Sequence, residues 1–180
     1  QRVAERLGIP CYDRELVAKI ARESGLAESF IKENGEYAES AHAFLFNWSL
    51  GTGLESGVLP ISDQLYLIQH NIIQELAEKE SCVIVGRCAD YVLRHRNPLR
   101  LFFYADIADR MERCRKRNEE QKSLNHDVLR KIITQTDKNR SRYYEFLSGQ
   151  KWGAKENYDL CINTSSADTE KIIQCVISLL

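Results

Sequence analysis

Cys82-Val83-Ile84-Val85-Gly86-Arg87-Cys88-Ala89-Asp90 is the stretch that decides the fold of this 180-residue chain. Its first four residues are apolar without alternation, the pattern of a strand covered on both faces, and Gly86-Arg87 breaks the run. Before it, Ser62 caps a long helix whose apolar stripe is Leu65, Ile68, Ile72 and Leu76, widened by Ile73 and closing near Lys79-Glu80. After it, Tyr91 to Leu93 reads as a short helix, Asn97-Pro98 as a turn and Leu99 to Tyr104 as a second buried strand. Asp106 opens a strongly basic helix to about Arg117, and a further helix runs from Asn125 to roughly Leu147. Tyr158 to Thr164 is the last strand, followed by an amphipathic helix carrying Ile172, Ile173, Val176, Ile177 and Leu180. Strand and helix alternate, which predicts an α/β fold: a three-layer arrangement with one parallel sheet flanked by helices and joined by right-handed crossovers.

Toward the amino terminus, Gln1 to Leu7 reads as the tail of a helix stopped by Gly8, and Ile9 to Tyr12 as a short extended run. Asp13 is placed to cap a helix bearing Leu16, Val17, Ile20 and Ala21. From residue 27 to 60 the periodicity is poorer, with an aromatic patch at Phe44, Phe46 and Trp48 and a glycine-rich loop, and a mobile segment is expected there. The whole of 1–180 is read as one domain, since 20.8 kDa with 43% hydrophobic residues supports one well-buried core.

The 25 basic and 26 acidic side chains leave a net charge of -1, which excludes a global field pulling the chain onto nucleic acid or an anionic membrane. No apolar run spans a bilayer, so a cytoplasmic protein is expected. The six cysteines are widely spaced and several sit in apolar runs, the usage of free thiols in a reducing compartment. Without a C-x-x-C pair or metal-ligand spacing among His42, His70, His95 and His126, no metal site is expected. Gly51-Thr52-Gly53 with Gly57 follows no strand and reads as a loop.

In an open parallel sheet, ligands gather beyond the carboxyl ends of the strands. The residues there are charged: Asp13 and Arg14 after the first run, Arg87 and Asp90 after the second, Asp106 after the third. Helix capping accounts for Asp13 and Asp106. Arg87 sits where a helix dipole disfavours a cation, so it either holds an anionic ligand with the neighbouring N–H groups or pairs with Asp90 or another carboxylate. A second cluster, Arg110, Arg113, Arg115, Lys116 and Arg117 with Asp137, Lys138, Arg140 and Arg142, lies on two helices joined by a polar break. It is either a solvated face or a lid-like helical hairpin over 107–147 that swings across a ligand.

The run from Cys82 to Leu93 closely resembles the central signature of the cytidylate kinase-like family, a branch of the P-loop nucleoside monophosphate kinases. Leu7 to Leu16, Asp137 to Arg140 with Tyr143-Tyr144, and Lys151-Trp152-Gly153 through Tyr158-Asp159-Leu160 resemble family positions in family order. The resemblance implies a P-loop NTPase fold with a helical lid and transfer of the ATP γ-phosphoryl group, with Mg2+, to CMP, dCMP or a related phosphorylated acceptor. By the same resemblance Asp13, Arg14, Arg87 and Asp90 would line the acceptor pocket. Arg110, Arg113, Asp137 and Arg140 would close on the ATP phosphates, and Arg113 would also lie against adenine. The implied partners are small nucleotides, with no nucleic acid or membrane, and a homodimer is left open. Nothing from 1 to 180 has the form G-x-x-x-x-G-K-[ST]; the amino-terminal strand and phosphate loop are therefore expected upstream of Gln1, and weak ATP binding is expected of the chain as written. Bacterial cytidylate kinases carry Gly-Arg-Asp where this chain has Gly-Arg-Cys at Cys88, with Asp90 the nearest carboxylate beyond. A nucleotide-binding regulator of the same fold without turnover, and a helical adaptor gripping a polyanion, are the alternatives.

Overall fold

The computed structural model describes residues 1–13, 61–117 and 124–180. Its elements are α1 (Arg2–Leu7), β1 (Cys11–Tyr12), α2 (Ile61–Lys79), β2 (Val83–Ile84), α3 (Ala89–Val92), β3 (Leu101–Tyr104), α4 (Ile107–Arg117), α5 (His126–Ser148), β4 (Leu160–Asn163) and α6 (Thr169–Ile177), with 3-10 turns at Arg94–Arg96 and Lys155–Asn157. Arg14, the helix expected after Asp13, the 27–60 segment and the Gly51–Gly57 loop lie outside the described residues. No described helix is long and apolar enough to cross a membrane.

The fold is mixed α/β with parallel pairing. β1 lies against β2 with Cys11 opposite Val83 and Tyr12 opposite Ile84, and β3 lies against β4 from Leu101–Leu160 to Tyr104–Asn163. The single sheet expected from the alternation is, among the described residues, two separate parallel pairs. β2 is also shorter than its apolar run and half-buried where both faces were expected to be covered, with Val85 45% exposed. The backbone explains the length: Gly86, Arg87 and Cys88 take φ of 73°, 58° and 58°, three consecutive left-handed residues that cannot continue a strand. On β3, Phe103 is 50% and Tyr104 47% exposed, so that strand too is less covered than its composition suggests.

Two apolar cores form where helical stripes meet. Ile72, Ile73 and Leu76 of α2 pack on Ala89, Val92 and Leu93, with Tyr12 and Ile84 against them. Met111 of α4 packs on Leu129 and Ile133 of α5, which holds the two basic helices together as a hairpin. At the end of the chain Asp168 caps α6 by accepting from the N–H groups of Glu170 and Lys171. Ile173 and Val176 are buried there, whereas Leu180 lies past the helix end and is 72% exposed, outside the apolar face expected for it. Arg6 of α1 pairs with Glu170 of α6 at 2.7 Å, tying the first helix to the last.

The segment before β4 is fixed by aromatic packing. Phe102 meets Trp152 edge-on at 5.2 Å and Tyr158 at 4.9 Å. Gly153 adopts φ +74°, and a Cβ there would lie 3.0 Å from Phe102 Cζ; Gly149, at φ +67°, has open space around it. Gly149→Ala is therefore expected to cost only left-handed backbone strain, about 1 kcal/mol, and Gly153→Ala about 2 kcal/mol or more because the Phe102 ring must also give way. Urea midpoints at unchanged slope measure the difference.

Candidate functional site

The loop after β2 is unusual in its backbone more than in its charge. Arg87 was expected to oppose a helix dipole, but α3 has only four residues and carries little of one. What sets the loop apart is its left-handed run, in which the two non-glycine residues cost about 1–2 kcal/mol each. The loop closes through Ala89 N–H to the Gly86 carbonyl at 3.2 Å, and α3 starts with Tyr91 and Val92 N–H donating to the Cys88 carbonyl. From α2, the amide of Gln69 donates to the Arg87 carbonyl at 3.3 Å.

Asp90 is held from the opposite side. The hydroxyl of Tyr144, buried on α5, donates to Asp90 Oδ2 at 2.8 Å and lies 3.2 Å from Gln150 Oε1. Burial and the Asp90 carboxylate push the Tyr144 hydroxyl well above the usual phenol range. Asp90 thus faces the phenol, a contact that its placement six residues after the end of β2 does not reveal. Tyr143, next along α5, accepts from Gln69 at 2.6 Å, so adjacent tyrosines reach both sides of the Arg87 loop.

Residues expected in the lid do come together. Arg110 of α4 forks onto Asp137 of α5 with contacts of 2.5 and 2.7 Å, and Arg140, one turn beyond, lies 3.9 Å from the same carboxylate. The hydrogen bond to Asp137 raises the Arg110 guanidinium above its ordinary range. Arg113 turns elsewhere: it donates to the Thr164 hydroxyl at 2.8 Å and to the Thr164 carbonyl, just past the carboxyl end of β4. Asp13 is exposed immediately after β1. Lys116 pairs with Glu112 on the outer face of α4, as a solvated helix surface does.

Asp137, Arg140 and Tyr144 recur at i, i+3 and i+7, so they share one stripe of α5. At 1.5 Å per residue, the carboxylate that binds Arg110 and the phenol that binds Asp90 are separated along the helix by about 10 Å. One helix face therefore serves both the Arg87 loop and the basic hairpin.

Sequence reasoning missed Gln69, Tyr144 as the partner of Asp90, Thr164 as the partner of Arg113, and the bidentate Arg100–Asp159 pair whose contacts at 2.8 and 3.2 Å brace the start of β3. Only Gln69 had a readable signal, an uncharged polar residue three positions before Ile72 on the apolar side of a long helix. Among the described residues no group of three His, Cys, Asp or Glu side chains is placed to hold a metal ion.

Comparison with known proteins places the chain in a class. The model of the cytidylate kinase-like family matches residues 1–166, and the chain belongs to that family. Among solved structures it is similar to the crystal structure of an uncharacterized protein from Eubacterium ventriosum ATCC 27560, with 26% identity, a TM-score of 0.69, and coverage of 99% of this chain and 87% of that one. No curated protein matches it.

All six cysteines are free thiols. Cys88 is 5% exposed, and burial, with Asp90 adding to it, pushes its thiol up to about 12. At pH 8 iodoacetamide is expected to spare Cys88 and modify the exposed Cys161 and Cys175, as peptide mass mapping would record. The unfolded thiol ionises first as pH rises, so the Cys88 contribution to stability is intact below the ordinary thiol range and is lost from there up to about pH 12.

Proposed function

We propose that the chain is the body of a nucleoside monophosphate kinase-type phosphotransferase, moving the γ-phosphoryl group of ATP to CMP, dCMP or a related small phosphorylated acceptor in the cytoplasm. In this reading the fold is that of the P-loop NTPases, and 107–147 is the lid. The observation that carries it is the α5 stripe, which reaches the Arg87 loop at Tyr144 and the Arg110 cluster at Asp137. Family membership supports the kinase class, and the residue chemistry supports the phosphates.

An acceptor phosphate oxygen attacks the γ-phosphorus; the new O–P bond forms as the bond to the β–γ bridging oxygen breaks, and ADP leaves. The reaction needs positioning and charge neutralisation more than covalent help from protein. Arg87, at the loop beside Asp13 and Asp90, holds the acceptor phosphate. Arg110 and Arg140 carry two positive charges against the single negative charge of Asp137, so that group keeps a surplus of one for the donor phosphates, and Arg113, held at Thr164, adds a separate charge. Arg110 and Arg140 deliver it when an incoming phosphate takes over from Asp137, and Arg113 approaches from the carboxyl end of β4. Magnesium, when bound with the nucleotide, would neutralise phosphate charge, and the phosphates and water would supply most of its oxygens, since no group of three candidate protein ligands lies among the described residues.

The full-length protein, given γ-labelled ATP, magnesium and a panel of monophosphates, is expected to form a labelled diphosphate. Thermal stabilisation by nucleotides without labelled product from any acceptor would favour the regulatory reading instead. Arg87→Ala is expected to lower acceptor turnover about a hundredfold or more, close to 3 kcal/mol of lost transition-state stabilisation, with the fold retained. Steady-state kinetics on the purified variant check this, and unchanged values remove Arg87 from the site.

A further inference from the structure

The geometry points to Gln69 as a positioning residue for Arg87, acting through the Arg87 main chain; the inference rests on the kinase reading above. Gln69 is 6% exposed on α2, beside the fully buried Ile72 and Ile73. A buried amide must find partners, and its Nε2 has two protons to place. One goes to the Arg87 carbonyl at 3.3 Å and the other to the Tyr143 hydroxyl at 2.6 Å. The amide thus joins α2, the loop after β2 and α5 at one point.

The contact falls where the backbone needs holding. The Arg87 carbonyl belongs to the peptide plane between Arg87 and Cys88, so fixing it fixes ψ of the first and φ of the second. Both residues are left-handed at φ 58° without being glycine, a conformation that persists only where its surroundings impose it. Hydrogen bonds from Ala89, Tyr91 and Val92 are local to the loop and α3, whereas Gln69 reaches it from 18 residues away. Were the loop to relax toward right-handed geometry, the Cα–Cβ bond of Arg87 would swing, and the guanidinium with it. Gln69 never needs to touch the acceptor; it sets the direction from which Arg87 does.

Gln69→Met keeps the length of the side chain and removes both N–H groups. It is expected to lower acceptor kcat/KM about tenfold while the KM for ATP stays within twofold. In an Arg87→Ala background the same substitution is expected to add nothing further, because its route of action is gone; an additive loss, or an equal rise in the KM for ATP, overturns the inference. Tyr143→Phe spares the bond to Arg87 and is expected to be milder than Gln69→Met; equal damage would mean that helix packing alone is at work. Should Gln69→Met not fold, Gln69→Asn, which withdraws the amide by one methylene, reads the same quantities. If the wild-type protein labels no acceptor, the kinase reading fails, and the positioning inference is decided by hydrogen exchange on nucleotide-free protein. Faster exchange of the Ala89 amide in the variant, with α6 unchanged, sustains it, and an unchanged Ala89 overturns it.

Discussion

The hydrogen bond from the buried Tyr144 hydroxyl to Asp90 is the constraint on which the arrangement of the site depends. It spans 54 positions of sequence and binds the long helix α5 to the short helix α3 behind β2. A half-buried carboxylate deprived of such a donor would be costly to keep in place, so the pair is maintained as a unit. Its neighbour Tyr143 makes the parallel connection to α2 through Gln69. Together the two tyrosines fix where α5 lies against the loop, and the apolar contacts of Leu129 and Ile133 with Met111 then fix where α4 lies against α5.

This order of dependence explains which parts of the molecule could be read from the chain alone. Hydrophobic period identified α2, α4 and α5 to within a residue or two and α6 with an end three residues too late, because a helix that buries one stripe must repeat every three to four positions. The Gly8 stop was legible for a related reason, since a left-handed residue at φ 66° is what glycine supplies at a helix end. The strands were harder. The run Cys82–Val85 advertises burial on both faces, yet only Val83 and Ile84 pair, because the turn that follows bends away at once. That turn involves Arg87 and Cys88, neither of which signals left-handed backbone. The contacts that aim the site are the least legible of all. Gln69 with Arg87, Tyr144 with Asp90, and Arg113 with Thr164 join residues 18 to 54 positions apart, and periodicity reports the face of an element, never its partner.

Of the residues singled out in advance, Arg110, Asp137 and Arg140 form one ionic group, and Arg113 stands at the end of β4. The sequence marked these residues as a cluster on two helices, either a solvated face or a lid; the resemblance added their expected role toward the ATP phosphates. What the chain could not disclose is that Cys88 is sealed in the interior with a thiol too basic to ionise near neutrality. Cys88 therefore presents no charge at that position near neutral pH.

The two-pronged grip of Arg110 on Asp137 has a consequence for what can enter. A carboxylate already seated is a standing rival to every anion in solution. Chloride or acetate, each with one charge and no better geometry, gains nothing by evicting it. A polyphosphate tail brings several charges and several oxygens, and it can satisfy both guanidinium groups of the trio while the aspartate turns to water. On the proposed kinase reading, the internal counter-ion would act as a threshold that ordinary salts do not pass and densely charged esters do.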